Sequence, residues 1–277
     1  MTVRATVVCE NCVFHKRGAV AEHGFSVLLE TEAGSYLLDT GEGRGVVNNA
    51  LLFGLDLKAI KGIILSHHHY DHTGGLLPLL DWIGPREIFA HPDLFKESFS
   101  IRGEEPRSIS MPYTREALEA KGATFNLNAA FRQIAPGIWL TGEVPRRTDY
   151  ETGDANQVVQ SNGKYVQDKL KDDQSMVIET QKGLFVVLGC CHSGIINTLS
   201  HIVEKMGPGR RLHTVIGGTH LGPAGDEQKE KSIAALKAFD IERLGVSHCT
   251  GLITAVRLAA EFGDRFFFCN VGTVVEA

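Results

Sequence analysis

The stretch that most constrains this chain runs from Lys61 to Leu76, Lys-Gly-Ile-Ile-Leu-Ser-His-His-His-Tyr-Asp-His-Thr-Gly-Gly-Leu. The short, β-branched run Ile63-Ile64-Leu65 reads as a buried strand. Thr73-Gly74-Gly75 breaks that pattern, and Leu76-Leu77 opens a helix. The histidines therefore lie on a loop leaving the end of a buried strand. In extended chain His67 and His69 point the same way and can share one ion, because side chains alternate. Asp71 and His72, past the bend, can serve a second ion. Imidazole and carboxylate are ligands for zinc, iron and manganese at neutral pH. A purely structural role is a poor account of the cluster, since crowded imidazoles repel when charged and gain little when packed. His68 is expected to face the other way, and Tyr70 to pack.

Composition excludes several alternatives. The chain has 277 residues, 43% of them hydrophobic and 22% charged, which is ordinary for a globular protein. A formal net charge of -5 leaves no basic footprint, so no nucleic-acid partner is expected. No apolar run approaches the roughly 18 residues of a membrane span. The amino terminus lacks the apolar core of a signal peptide, so the expectation is a cytoplasmic protein without a membrane partner, acting on a small molecule. Of the six cysteines, Cys9 and Cys12 form a lone C-x-x-C with no second pair at zinc-ribbon spacing. Free thiols in a reducing compartment fit better.

The second half repeats the first. Ser175-Met-Val-Ile-Glu-Thr-Gln-Lys-Gly183 aligns without gaps on Ser26-Val-Leu-Leu-Glu-Thr-Glu-Ala-Gly34, with serine, glutamate, threonine and turn glycine coinciding. Each unit reads as strand–turn–strand. Helices are expected at 46–53, 76–82, 114–121, 195–206, 228–239 and 253–262. Further strands are expected at Val3–Val8, 87–91, 138–141, 213–217 and 243–246. Residues 98–112 read as a surface excursion, and 142–173 as a flap or lid, being too long and polar for an idle connection. Two similar α/β half-units, each with a bare sheet face, most simply pack sheet on sheet. The expectation is one domain over 1–277, a mixed α/β, four-layer αββα sandwich of two similar halves.

His67-x-His69-x-Asp71-His72 after a buried strand resembles the signature of the metallo-β-lactamase superfamily, whose fold is that sandwich. Three further histidines follow apolar runs and precede glycines: His192, His220 and His248. Ligands gather at the carboxyl ends of strands, so these loops are expected to meet at one edge. The resemblance makes His248 a ligand of a second ion. The usual bridging aspartate is absent after Leu188-Gly189, and the place of an earlier histidine falls near Glu143. Either His192 replaces a missing ligand, or Cys190, Cys191 or Glu143 does. Alternation favours His192 as a ligand, lets Cys190 approach the ions and turns Cys191 away. Gly142-Glu-Val-Pro-Arg146, Gly189-Cys-Cys-His-Ser-Gly-Ile195, Gly217-Gly-Thr-His220 and Ser247-His-Cys-Thr-Gly251 together resemble the dihydropterin-ribofuranosylaminobenzene phosphate synthase branch, and Glu22-His23-Gly24 fits it.

These features imply two divalent ions, zinc foremost with manganese or iron as alternatives. His67, His69 and His192 would hold one, and Asp71, His72 and His248 the other. Such a pair lowers the pKa of a bound water. Asp71 would orient that nucleophile. His220 would donate to a phosphate or oxyanion, and Arg146 would pair with a phosphate. The expected function is a metal-dependent hydrolase of a small anionic substrate, a phosphoester. The alternatives are a transferase joining a pterin methyl group to ribofuranosylaminobenzene phosphate, and a non-catalytic metal- or ligand-binding sensor.

Overall fold

Two strand–turn–strand units of matching sequence set up two matching sheets. The computed structural model describes residues 1–207 and 209–277. β1 (Val3–Cys9), β2 (Ser26–Thr31) and β3 (Gly34–Leu38) form an antiparallel meander, which α1 (Val46–Phe53) leaves. β4 (Gly62–Ile64) joins parallel to β3. After it come α2 (Tyr70–Thr73), α3 (Leu76–Ile83) and β5 (Arg86–Ala90). The chain then makes the short β6 (Phe99–Ser100), β7 (Arg107–Ser108) and α4 (Arg115–Glu119), and returns beside β5 as β8 (Ala123–Leu127).

The second half opens with β9 (Arg132–Ala135) and β10 (Ile138–Leu140), then the hairpin β11 (Gln157–Ser161) and β12 (Lys164–Gln167). β13 (Met176–Thr180) and β14 (Gly183–Leu188) repeat the β2–β3 hairpin. α5 (Ile195–Met206), β15 (Leu212–Gly218), α6 (Asp226–Leu236), β16 (Arg243–Ser247), α7 (Leu252–Phe262) and β17 (Phe266–Phe268) continue it in parallel. β18 (Val274–Glu276) crosses back to pair with β1.

The repeat extends to single hydrogen bonds. Thr31 Oγ1 donates to the Gly34 carbonyl at 2.8 Å and Thr180 Oγ1 to the Gly183 carbonyl at 2.7 Å. Both glycines have positive φ, 121° and 134°, where a side chain would strain the turn. The spatial orders β18-β1-β2-β3-β4-β5-β8 and β9-β10-β13-β14-β15-β16-β17 then place antiparallel meander and parallel extension in the same sequence.

Three apolar clusters show the layering. Leu28, Leu37, Ile63 and Ile88 pack against α1 and α3 through Ala50, Leu76 and Leu79. Val186, Leu188, Val215 and Leu244 pack against α5 and α7 through Leu199, Ile202 and Leu258. Between the sheets, Val27, Leu29 and Leu38 meet Ile178, Phe185, Val187 and Ile216. That is the expected αββα order. Central strands such as β14 are buried on both faces, which explains their unbroken apolar runs.

Two expectations change. Residues 98–112 and 142–173 do not lie apart as excursion and flap: β6 pairs with both β7 and β11, so the two segments build a third, four-stranded sheet, β12-β11-β6-β7. The flap is also fastened to the second half. Glu151, only 1% exposed, accepts from the backbone N–H of Ile196 and Asn197 at 2.9 Å each and so caps α5, whose own N-cap Gly194 has no side chain to offer. Short strands in polar sequence escape periodicity reading because their pairing partners lie far away in the chain. Among the described residues, no helix is long and apolar enough to cross a membrane.

Glu151→Ala should destabilise the protein by about 2 kcal/mol, since it orphans buried N–H groups that a carboxylate satisfies. Chemical denaturation measures this, and an unchanged midpoint would show that the flap is anchored elsewhere.

Candidate metal centre

The site is built at the carboxyl ends of β3, β4, β14, β15 and β16. Four non-glycine residues there leave their strands in the left-handed region: Asp39 (φ 57°), Cys191 (59°), His220 (50°) and His248 (52°). Such conformations cost free energy and persist only where surrounding contacts hold them.

Asp39 is fully buried. Its Oδ1 accepts from Ser66 N at 2.7 Å, and its Oδ2 from Ser66 Oγ and from His72 Nδ1, both at 2.7 Å. The spent Ser66 proton leaves Ser66 Oγ to accept from His67 Nδ1 at 2.9 Å. His248 Nδ1 donates to Asn11 Oδ1 at 2.8 Å, and the His248 backbone N–H donates to Glu10 Oε1 at 2.7 Å. Three imidazoles thus have Nδ1 engaged and Nε2 turned inward, the arrangement that orients metal-ligating histidines.

The inward atoms form two groups. His67, His69 and His192 offer nitrogens within 4.8 Å of one another, with His67 Nε2 and His192 Nε2 3.3 Å apart. His69 Nε2 is buried without a partner. Burial first, and neighbouring imidazoles second, hold all three far below the ordinary histidine pKa. Neutral rings aiming lone pairs at one another suit a cation held by nitrogen ligands. In the second group His72 Nε2 and His248 Nε2 are 3.2 Å apart, and Asp71 Oδ2 lies 3.7 and 3.2 Å from them. Burial alone would raise the Asp71 carboxyl, but His72 and His248 outweigh it and hold it well below the carboxylate range. Burial alone would lower His72; Asp39 and Asp71 instead raise it to about 9.

Cys190 Sγ lies 3.1 Å from His72 Nε2 and falls into ligand-sized groups with His67 and His72, and with His192 and His220. Cys191 packs in the apolar cluster under α5 and belongs to none of these groups, its positive φ having ended the extended strand. Glu143 stands apart, paired with His91 at 3.3 Å. His220 lines the cavity, its ring 4.1 Å from that of His192 and both its nitrogens buried without partners.

Arg146 is the sequence-predicted residue that the structure does not bring here. Its guanidinium donates to the carbonyls of Glu151, Lys169 and His192 at 3.1, 3.2 and 2.8 Å, so it is a strut behind His192. His68 faces away as expected, bonding Asp172 Oδ2 at 2.7 Å and Ser98 Oγ at 2.6 Å, which ties the histidine loop to both segments of the small sheet.

Sequence reasoning missed several residues. Asp39 is one; its signal in the sequence is an acid just past the end of an apolar strand, Tyr36-Leu37-Leu38. His23, 3.3 Å from Asp71 Oδ2, joins a third group with Asp71 and His248. Arg102, Arg107 and Gln157 line the cavity of about 520 Å³ that the metal edge opens onto, and nothing in their local pattern marked them.

An αββα sandwich with six clustered imidazole and carboxylate side chains at one edge, grouped closely enough to hold metal, defines a class of metal-binding enzyme folds. The comparisons make the class specific. The profile of the metallo-beta-lactamase superfamily matches residues 20–144. A 7,8-dihydropterin-6-methyl-4-(beta-D-ribofuranosyl)-aminobenzene-5'-phosphate synthase of Methanocaldococcus jannaschii is 32% identical over 266 residues, covering 92% of this chain and 90% of the relative. The solved structure of a metal-dependent hydrolase of the beta-lactamase superfamily superposes with a TM-score of 0.84 at 28% identity, over 99% of each chain. Zinc-bound PqqB of Methylobacterium extorquens shares the fold, with a TM-score of 0.56 at 12% identity over 98% and 99% of the two chains. The chain belongs to the metallo-β-lactamase superfamily.

His69→Ala should lose metal and turnover while remaining folded, and His192→Ala should lose at least one ion. Cys191→Ser should keep its metal. Elemental analysis of the purified variants checks all three; full metal in His192→Ala would remove it from the ligand set.

Proposed function

We propose that the protein is a metal-dependent hydrolase of a small anionic substrate, a phosphoester. The observation that carries this reading is the pairing of two candidate ligand groups, His67, His69, His192 and Asp71, His72, His248, of which His69, Asp71, His192 and His248 line one cavity. Divalent ions there, zinc or else manganese or iron, supply Lewis acidity and lower the pKa of water.

The chain's own residues do the rest. Asp71, kept ionised, accepts a hydrogen bond from the attacking water and orients it. His23 shares that carboxylate at 3.3 Å and can relay a proton outward. His220, with both nitrogens free, donates to a phosphoryl oxygen or the leaving group. The likeness to a solved metal-dependent hydrolase of the beta-lactamase superfamily supports this reading.

One observation favours a second. The relative matched over nearly its whole length is named a synthase, which supports a transferase joining a pterin methyl group to ribofuranosylaminobenzene phosphate. A panel of phosphomonoesters, phosphodiesters and lactones, incubated with zinc, manganese or iron and no pterin, separates the two. The expected result is phosphate or alcohol release that His220→Ala lowers at least tenfold. An inert panel, with pterin-dependent consumption of ribofuranosylaminobenzene phosphate, would decide for the transferase.

A further inference from the structure

Two of the six cysteines, Cys190 and Cys249, line the metal cavity, and the chemistry above uses neither thiol. Each stands two residues past the end of its strand, β14 and β16. Cys190 is 3% exposed and Cys249 half-buried. The other four do not face this cavity: Cys9, Cys191 and Cys269 are buried, and Cys12 lines a separate cavity of about 330 Å³.

β14 and β16 are not neighbours, because β15 runs between them. The two cysteines meet over the last residue of β15, Gly218. A Cβ there would stand 2.5 Å from the Gly189 carbonyl, 2.6 Å from Cys249 Sγ and 3.3 Å from Cys190 Cα. Gly218 has no positive φ, so glycine serves here for space rather than for conformation. In the gap so left, Cys249 Sγ donates to the Cys190 carbonyl at 3.5 Å and accepts from the His220 backbone N–H at 3.2 Å. The two sulfurs and a His248 nitrogen all lie within 4.8 Å of one another. A partly exposed thiol with a second thiol beside it is the arrangement that oxidants convert to a disulfide.

We propose that Cys190 and Cys249 form a paired oxidation site: a peroxide entering the cavity oxidises Cys249, and Cys190 then joins it in a disulfide that ties the His192 loop to the His248 loop. The Cys249 sulfur attacks one peroxide oxygen and the O–O bond breaks, giving a sulfenic acid and one water. The Cys190 sulfur displaces the sulfenic hydroxyl, which leaves as a second water. The two thiols supply two protons and two electrons, and the peroxide is the oxidant reduced. Cys190 Sγ lies 3.1 Å from His72 Nε2, so its capture by Cys249 takes a sulfur away from the metal edge. Thiolate sulfur is the metal ligand, so the linked form holds metal less well.

Zinc-loaded protein treated with hydrogen peroxide, alkylated under denaturing conditions and mapped by mass spectrometry without reduction tests this. Two of the six thiols should disappear, one peptide pair should be joined through Cys190 and Cys249, and at least one zinc ion should pass to a chromophoric chelator. Dithiothreitol with added zinc should restore both thiols and metal. Cys249→Ala should keep its zinc through the same treatment, and Cys12→Ser should behave as the parent. In Cys190→Ala, Cys249 should stop at the sulfenic acid, which dimedone traps.

The absence of a Cys190–Cys249 link, a link to another cysteine in its place, zinc kept by the linked protein, or equal zinc release from Cys249→Ala would overturn the proposal. These readouts are masses, thiol counts and metal content, so the oxidation site stands or falls separately from the phosphoester reading.

Discussion

The buried carboxylate of Asp39 is the interaction on which the site depends. A charge taken out of water survives only with its lone pairs filled, and here three donors fill them: Ser66 N, Ser66 Oγ and His72 Nδ1. Two consequences follow from the same atoms. His72 is turned so that Nε2 faces inward, and Ser66, its proton spent, can only accept from His67. One acid just past β3, the strand beside that of the histidine loop, therefore sets the orientation of a histidine in each candidate ligand group. The second half presses on this point directly. A Cβ on Gly189 would stand 2.3 Å from Ser66 Oγ, so only glycine lets the end of β14 approach closely enough to deliver Cys190 and His192.

The small sheet is the second constraint. It grows from two insertions, one in each half, that the repeated core does not need. His68 joins it to the ligand loop: the Asp172 carboxylate takes both the His68 backbone N–H at 2.8 Å and Nδ1, while Lys96 pairs with Asp172 at 3.0 Å and with Asp168 at 2.9 Å. The one histidine of the cluster that faces away from the ligand groups is thus the link between the reacting edge and the wall opposite it. The two faces of a single extended loop carry different tasks, as alternation requires.

Much of this architecture was legible because it is local. The Ser-x-x-x-Glu-Thr…Gly hairpins and the apolar run before His67 are encoded over a few residues each, and their pattern survives in the folded chain. The convergence of the histidine loops was legible for a related reason, since histidines after apolar runs and before glycines sit at strand ends that share one edge. Arg146 failed as an expectation because charge type does not reveal a partner. Its guanidinium found three carbonyls that only folding brought near. Cys191 turned from the ligand groups, though the backbone bends there and does not simply alternate.

The sequence by itself determined two similar α/β halves, their layered packing and a histidine-rich edge, because hydrophobic period and turn chemistry act between neighbours. The tertiary structure decided the rest: which nitrogen of each histidine points inward, which acid holds it, and which polar residues face the cavity. Those choices depend on atoms brought together from opposite ends of the chain, such as Asn11 with His248 and Gln157 with Ser100. No window of sequence contains both partners, so only the packed fold could select them.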